Sequence, residues 1–210
     1  MELYTYFRSS ASYRVRIALA LKGIAFDSIQ INLLRDCGEQ LNPAYRAINP
    51  EARMPALRLP DGQILIQSLA IIEYLEEVFP EPALLPKDPV QRAQARGVAA
   101  VVVCDMQPLG TLAVLKRLRA MGSDHDAVTG WINHWMGLGF AAVETLIGDE
   151  GWCYGPEPGL ADVCLMPQIF FARRNEVPLE AYPQILRVAA LAAAYPAFIA
   201  AEPDNQPDAE

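Results

Sequence analysis

Prolines at 80, 82, 86 and 89 crowd one short stretch, and neither a helix nor a central strand can run through it. The chain is therefore expected to divide there. Before the break, short β-rich runs alternate with helical patterns; after it, alanine, leucine and other helix formers dominate and strand signals are few. Residues 1–80 read as one domain, 81–87 as a linker and 88–210 as a second, all-helical domain.

The first part resolves into strands at 3–6, 26–31, 56–59 and 64–66, with helices at 10–22, 42–47 and 68–78. Gly23 stands at the stop position of the first helix, Pro60-Asp61-Gly62 suits a tight turn, and Ser68 is placed to cap the third helix. The order β-α-β-α-β-β-α is that of a thioredoxin-like α/β domain. In the second part, helices are expected at 88–120, bent near Pro108, and at 124–147, 160–174 and 182–194, with a short one near Pro196. The tail after it reads as an extended strap or frayed end.

Composition narrows the partners. With 52% hydrophobic and 20% charged residues the chain can bury a core, and disorder is excluded. A formal charge of -8 opposes nucleic acid as the main partner, although local arginines can still hold a small anion. The N-terminus lacks the basic start and apolar run of a secretory signal, and apolar stretches such as 99–104 are too short to cross a bilayer. Cys37, Cys104, Cys153 and Cys164 form no CxxC pair, which suits a reducing cytoplasm. His125 and His134 lie nine residues apart with no cysteine pair beside them, so no metal site is expected.

Three short stretches carry chemistry. Residues 7–17 leave a strand, cross a loop rich in serine and enter a helix, whose free N–H groups favour an anion and lower the pKa of a thiol placed there. On this stretch alone, plain N-capping by serine outweighs a ligand site. Arg53-Met54-Pro55-Ala56 precedes a strand, and a cis proline there would turn the Met54 backbone toward a peptide-like ligand. Gln67-Ser68 opens a helix directly after a strand, where backbone donors and a hydroxyl suit a carboxylate. Arg14 and Arg16 read as exposed helix-face or domain-contact residues, and Trp131, Trp135 and Trp152 as core or interface.

The run RSSASYRVRIALALKGI resembles the serine-rich signature of zeta-class glutathione transferases. NP…MPAL, QSLAIIEYLEE, ALLPKDP, Gln107-Pro108-Leu109, ADVCLMPQ, Tyr182-Pro183 and the terminal QPD are similar to the same family, so the likeness spans the chain. It implies glutathione as cofactor, a homodimer, and cis–trans isomerisation of a maleyl diacid, either maleylacetoacetate or its analogue maleylpyruvate. The pathway stays open between breakdown of aromatic amino acids and of gentisate. Carried over by position, Ser9 stabilises the glutathione thiolate, with Ser10 and the helix start assisting. Gln40 holds the glycyl end or neighbouring backbone of glutathione, Met54 beside Pro55 pairs with the cysteinyl unit, and Gln67 and Ser68 hold the γ-glutamyl group. Gln107 closes over the cofactor, and Arg8 and Arg174 bind the carboxylates of the substrate; charge that develops on its carbonyl is a task for Arg8 or nearby N–H donors. The chain departs from the family at Ala11, where cysteine is usual, at Thr111, where asparagine is common, and at Gly159, which replaces serine or threonine.

Two other functions stay open at this point. One is a transferase that consumes glutathione on haloacids or other electrophiles; the other is a binding protein that keeps the fold without catalysis.

Overall fold

A computed structural model describes residues 1–209. The chain forms two compact units, one from Met1–Ala83 together with the residues from Ala194 onward, the other from Leu84–Ala193.

The first unit is built on four strands, β1 (Glu2–Thr5), β2 (Asp27–Gln30), β3 (Ala56–Arg58) and β4 (Ile64–Ile66), in the order β2-β1-β3-β4. β1 runs parallel to β2 and antiparallel to β3, and β3 is antiparallel to β4. The helices are α1 (Ser10–Leu21), the single turn α2 (Pro43–Arg46) and α3 (Ser68–Val78), which gives the expected βαβαββα order. Leu3, Tyr4 and Thr5 are all buried, because a central strand covered on both faces loses its polar alternation.

α1 stops where glycine allows it. Gly23 takes φ +63°, and the Ile24 amide reaches back to the Leu19 carbonyl at 2.9 Å. The next residues are fixed by Lys22, whose buried ammonium pairs with Glu76 at 2.8 Å and donates to the carbonyls of Phe79 and Pro82. The proline-rich stretch thus begins tied to its own unit.

Of the two readings for Arg14 and Arg16, exposed helix face or domain contact, the first is excluded: they are 0% and 2% exposed. α1 is buried through eight consecutive residues, Ser12–Leu19, because it packs against α3 and also against α9 (Pro196–Ala201). A helix covered all round leaves no solvent face for a charge. The helix near Pro196 and the tail after it therefore belong to the first unit, not to a helical domain running from 88 to 210.

The second unit holds α4 (Pro89–Ala100), α5 (Leu112–Ala120), α6 (His125–Leu146), α7 (Leu160–Arg174) and α8 (Pro183–Ala193). The single bent helix expected at 88–120 is broken instead by a π-helical stretch, Val101–Met106, and a 3-10 turn, Gln107–Gly110. Pro108 brings no N–H, so regular α bonding fails just upstream of it. By length and hydropathy the whole run Pro89–Ala120 equals a membrane span, which the short apolar stretches of the sequence did not suggest. Inside its unit it packs on α6 and α7.

α7 begins on a buried aspartate. Asp162 accepts from the amides of Gly159 and Cys153, each at 2.9 Å. The glycine at 159 has a steric reason: a Cβ there would lie 2.8 Å from the Leu84 carbonyl, which the Leu160 amide bonds at 2.7 Å. At α8, Glu144 plays the corresponding part, accepting from the amides of Gln184 and Ile185.

Candidate active site

Register alone gathers most of the candidate residues. Tyr4 pairs with Ala56 and Ala56 with Ile66, so the end of β1, the start of β3 and the end of β4 lie at one edge of the sheet. The parallel β2 ends there too. Arg8, Ser9, Ser10 and Ala11 follow β1; Gln40 follows β2; Met54 and Pro55 precede β3; Gln67 and Ser68 follow β4.

Ser9 is the N-cap of α1. It has extended backbone, and its Oγ accepts from the Ser12 amide at 3.2 Å while its carbonyl accepts from the Tyr13 amide at 2.8 Å. Capping uses a lone pair of the hydroxyl and leaves its proton free to donate. The plain and the chemical readings of Ser9 are compatible. Arg8 sits beside it over the Phe7 ring, 4.7 Å from the centroid.

The Met54–Pro55 bond is cis, as the ligand reading requires. The loop leading into it is held from within: Tyr45 Oη and Asn49 Nδ2 both donate to the Arg53 carbonyl, at 2.7 and 2.8 Å. Burial pushes the Tyr45 hydroxyl far above its ordinary pKa, so it stays a donor. Neither the amide nor the carbonyl of Met54 has a hydrogen-bond partner among the described residues, which leaves one donor and one acceptor for an added strand.

At the third edge the expected cap is corrected. Ser68 is the first residue of α3, not its cap; its hydroxyl accepts from Arg14 Nη1 at 3.0 Å. Gln67 takes the preceding position with φ +69°, a conformation that costs a non-glycine residue about 1–3 kcal/mol. Its amide nitrogen donates to Glu51 at 2.8 Å. Gln40 lies in the 3-10 turn Glu39–Leu41, and its Oε1 is buried without a partner among the described residues.

Three candidates lie in the second unit. Gln107 opens the 3-10 turn after the π-helical stretch, Thr111 bonds the Pro108 carbonyl through its hydroxyl at 2.9 Å, and Arg174 ends α7, 5.8 Å from the centroid of the Phe171 ring.

Sequence reasoning missed Glu51, Arg16 and Asp208. Arg16 donates to Thr5 Oγ1 and to the carbonyls of Tyr6, Phe7 and Ala201. Asp208 accepts from the Phe7 amide at 2.9 Å. The sequence signals were two arginines two apart on a helix, which cannot share one solvent face, and the terminal QPD run that contains Asp208.

These unpaired groups fit a peptide-like thiol carrying carboxylates: open backbone groups at Met54, an orphan acceptor at Gln40, and two helix starts at Ser9 and Gln67. No group of three or more histidine, cysteine, aspartate or glutamate residues among those described is arranged for a metal.

The glutathione S-transferase N-terminal domain family matches residues 8–78. A maleylacetoacetate isomerase of Pseudomonas aeruginosa is 60% identical over 208 residues, covering 99% of this chain and 98% of that protein. Among solved structures, a maleylpyruvate isomerase described as a bacterial glutathione S-transferase of the zeta class superposes with a TM-score of 0.96 at 42% identity, covering all of both chains. A maleylacetoacetate isomerase of Methylobacterium extorquens, solved with malonate and glutathione bound, gives 0.93 at 36% identity, again over the full length of both.

Proposed function

The chain belongs to the zeta-class glutathione transferases, and on that footing we propose that it is a glutathione-dependent cis–trans isomerase of a maleyl diacid, maleylacetoacetate or maleylpyruvate. What carries this reading is 60% identity along the whole length to a maleylacetoacetate isomerase, together with the serine-capped start of α1 in this chain.

Rotation about a double bond needs that bond to be single for a moment. Bound glutathione supplies the sulfur that adds to the cis carbon and leaves after rotation. The task of the protein is to hold that sulfur deprotonated. Ser9 donates its hydroxyl proton toward it while the first turn of α1 adds positive potential. Ser10 and the Ala11 amide lie in the same turn. An alanine at 11 is consistent with isomerisation, because the attacking sulfur comes from the cofactor and not from the chain. Gln40, Met54 beside Pro55, Gln67 and Ser68 hold the tripeptide by its glycyl, cysteinyl and γ-glutamyl parts. Gln107 and Thr111 are assigned to the cofactor as well. Arg8 opposes charge on the substrate carbonyl, and Arg8 and Arg174 grip the two carboxylates.

Purified protein with catalytic glutathione is expected to convert a maleyl substrate to its fumaryl isomer while the concentration of free thiol stays constant. Thiol lost in step with product would point to conjugation instead, and no turnover of either maleyl compound would sink the reading. Assembly as a homodimer in the cytoplasm is part of the same proposal; four free cysteines suit that compartment. Sedimentation at twice the chain mass is the expected result.

A further inference from the structure

The β1–α1 loop that carries Arg8 and Ser9 is gripped at its base from both sides. Arg16 reaches up from α1 and donates to the Tyr6 carbonyl at 3.4 Å and the Phe7 carbonyl at 2.9 Å. The same guanidinium holds Thr5 Oγ1 and the Ala201 carbonyl, both at 3.1 Å, so the end of α9 joins the cluster. From the other side Asp208 accepts from the Phe7 amide. Its second oxygen, Oδ1, is buried with no hydrogen-bond partner among the described residues, and the carboxylate lies in the field of Arg16.

Both faces of one peptide segment, its donor and its acceptors, are therefore fixed by two charges of opposite sign. Arg16 is too deeply buried to have been kept for solubility. Burial lowers its pKa to about 10, which leaves it charged at neutral pH. Beside the tail a cavity of about 260 Å³ is lined by Gln30, Asn32, Arg35, Glu39 and residues 207–209. Gln206 ties the tail to the end of α9 through the Ala200 and Glu202 carbonyls, and Asp208 is what ties it to the β1–α1 loop.

We propose that Asp208 and Arg16 are positioning residues, a clamp on Tyr6–Phe7 that sets the place of the Ser9 hydroxyl, so that the C-terminal tail is part of the catalytic apparatus. The inference rests on the role proposed for Ser9. Displacement of a donor by about an ångström can cost as much as 10²-fold in rate.

The test compares Asp208→Ala and Asp208→Asn with the parent protein, reading thermal unfolding, kcat at saturating glutathione, and the pH midpoint of the ultraviolet thiolate band of bound glutathione. Asp208→Ala is expected to raise that midpoint and to lower kcat roughly ten-fold, while the unfolding temperature changes little. Asp208→Asn, whose amide oxygen still accepts from Phe7, is expected to recover most of the loss. An alanine variant with the parent midpoint and kcat overturns the clamp, as does an asparagine variant equally impaired. If the parent itself shows the midpoint of free glutathione, the Ser9 reading fails, and the clamp is then decided by kcat of the two variants.

Discussion

Ser9 has one hydroxyl and two tasks, and the two can be measured apart. As a cap it satisfies the Ser12 amide, worth about 1 kcal/mol. As a donor to sulfur it acts only when ligand is bound, where loss of one aligned donor costs about 10²–10³ in turnover. Ser9→Ala should therefore unfold at slightly lower denaturant concentration yet lose activity on the order of 100-fold. Denaturant titration beside steady-state kinetics checks this, and parallel losses of a few-fold in both would reduce Ser9 to a cap. At this scale much of the backbone around the candidate residues was legible, because a serine after a strand, a proline before one, and Gln-Ser opening a helix each announce their geometry locally. Asp208 was not, since Phe7 lies 201 residues away, and neither was Arg16, which reaches Thr5, Tyr6 and Phe7 nearby but also Ala201, 185 residues on. No local pattern encodes such a pairing.

Element by element, the sequence is most readable where a helix meets its own ends. α1, α3 and the α6–α7 pair fall within a residue or two of the expected bounds. Reading failed where a helix is interrupted without a strong breaker at the point of change. Val101–Met106 looks like ordinary helix, and only Pro108 downstream forces the altered bonding. The start of α7 makes an electrostatic prediction. Burial raises the Asp162 carboxyl above its ordinary pKa, against the opposing hydrogen bonds from Cys153 and Gly159. The folded chain then holds that proton more firmly than the unfolded chain does. Its stabilising contribution is complete below the unfolded carboxylate pKa and is lost as pH rises through the folded value. Asp162→Asn removes this dependence and should flatten that part of the profile of unfolding free energy against pH. It should also cost roughly 1–3 kcal/mol at neutral pH, because one backbone amide loses its acceptor. Denaturant unfolding across the acid range decides it; parallel profiles for variant and parent would count against the assignment.

For the whole molecule, the division of labour differs from a simple cut near residue 80. The proline stretch was visible and the boundary at Ala83 lies close to it. The return of α9 to α1 was hidden, because an alanine-rich helix carries no mark of which unit it will cover. A chain cut after Ala193 should loosen the first unit selectively, since Arg16 loses the Ala201 carbonyl and α1 loses the cover of α9. Amide hydrogen exchange is expected to speed up in α1 and β1 while α6 and α7 keep their protection. Equal loosening of both units would contradict it.

The same arrangement dictates an order of events on the ribosome. Residues 84–193 form a continuous segment that can close its core as soon as it emerges. The sheet with its serine loop is synthesised earlier yet must wait for the residues beyond 194 before α1 is covered and Phe7 is bound. The part made first is completed last.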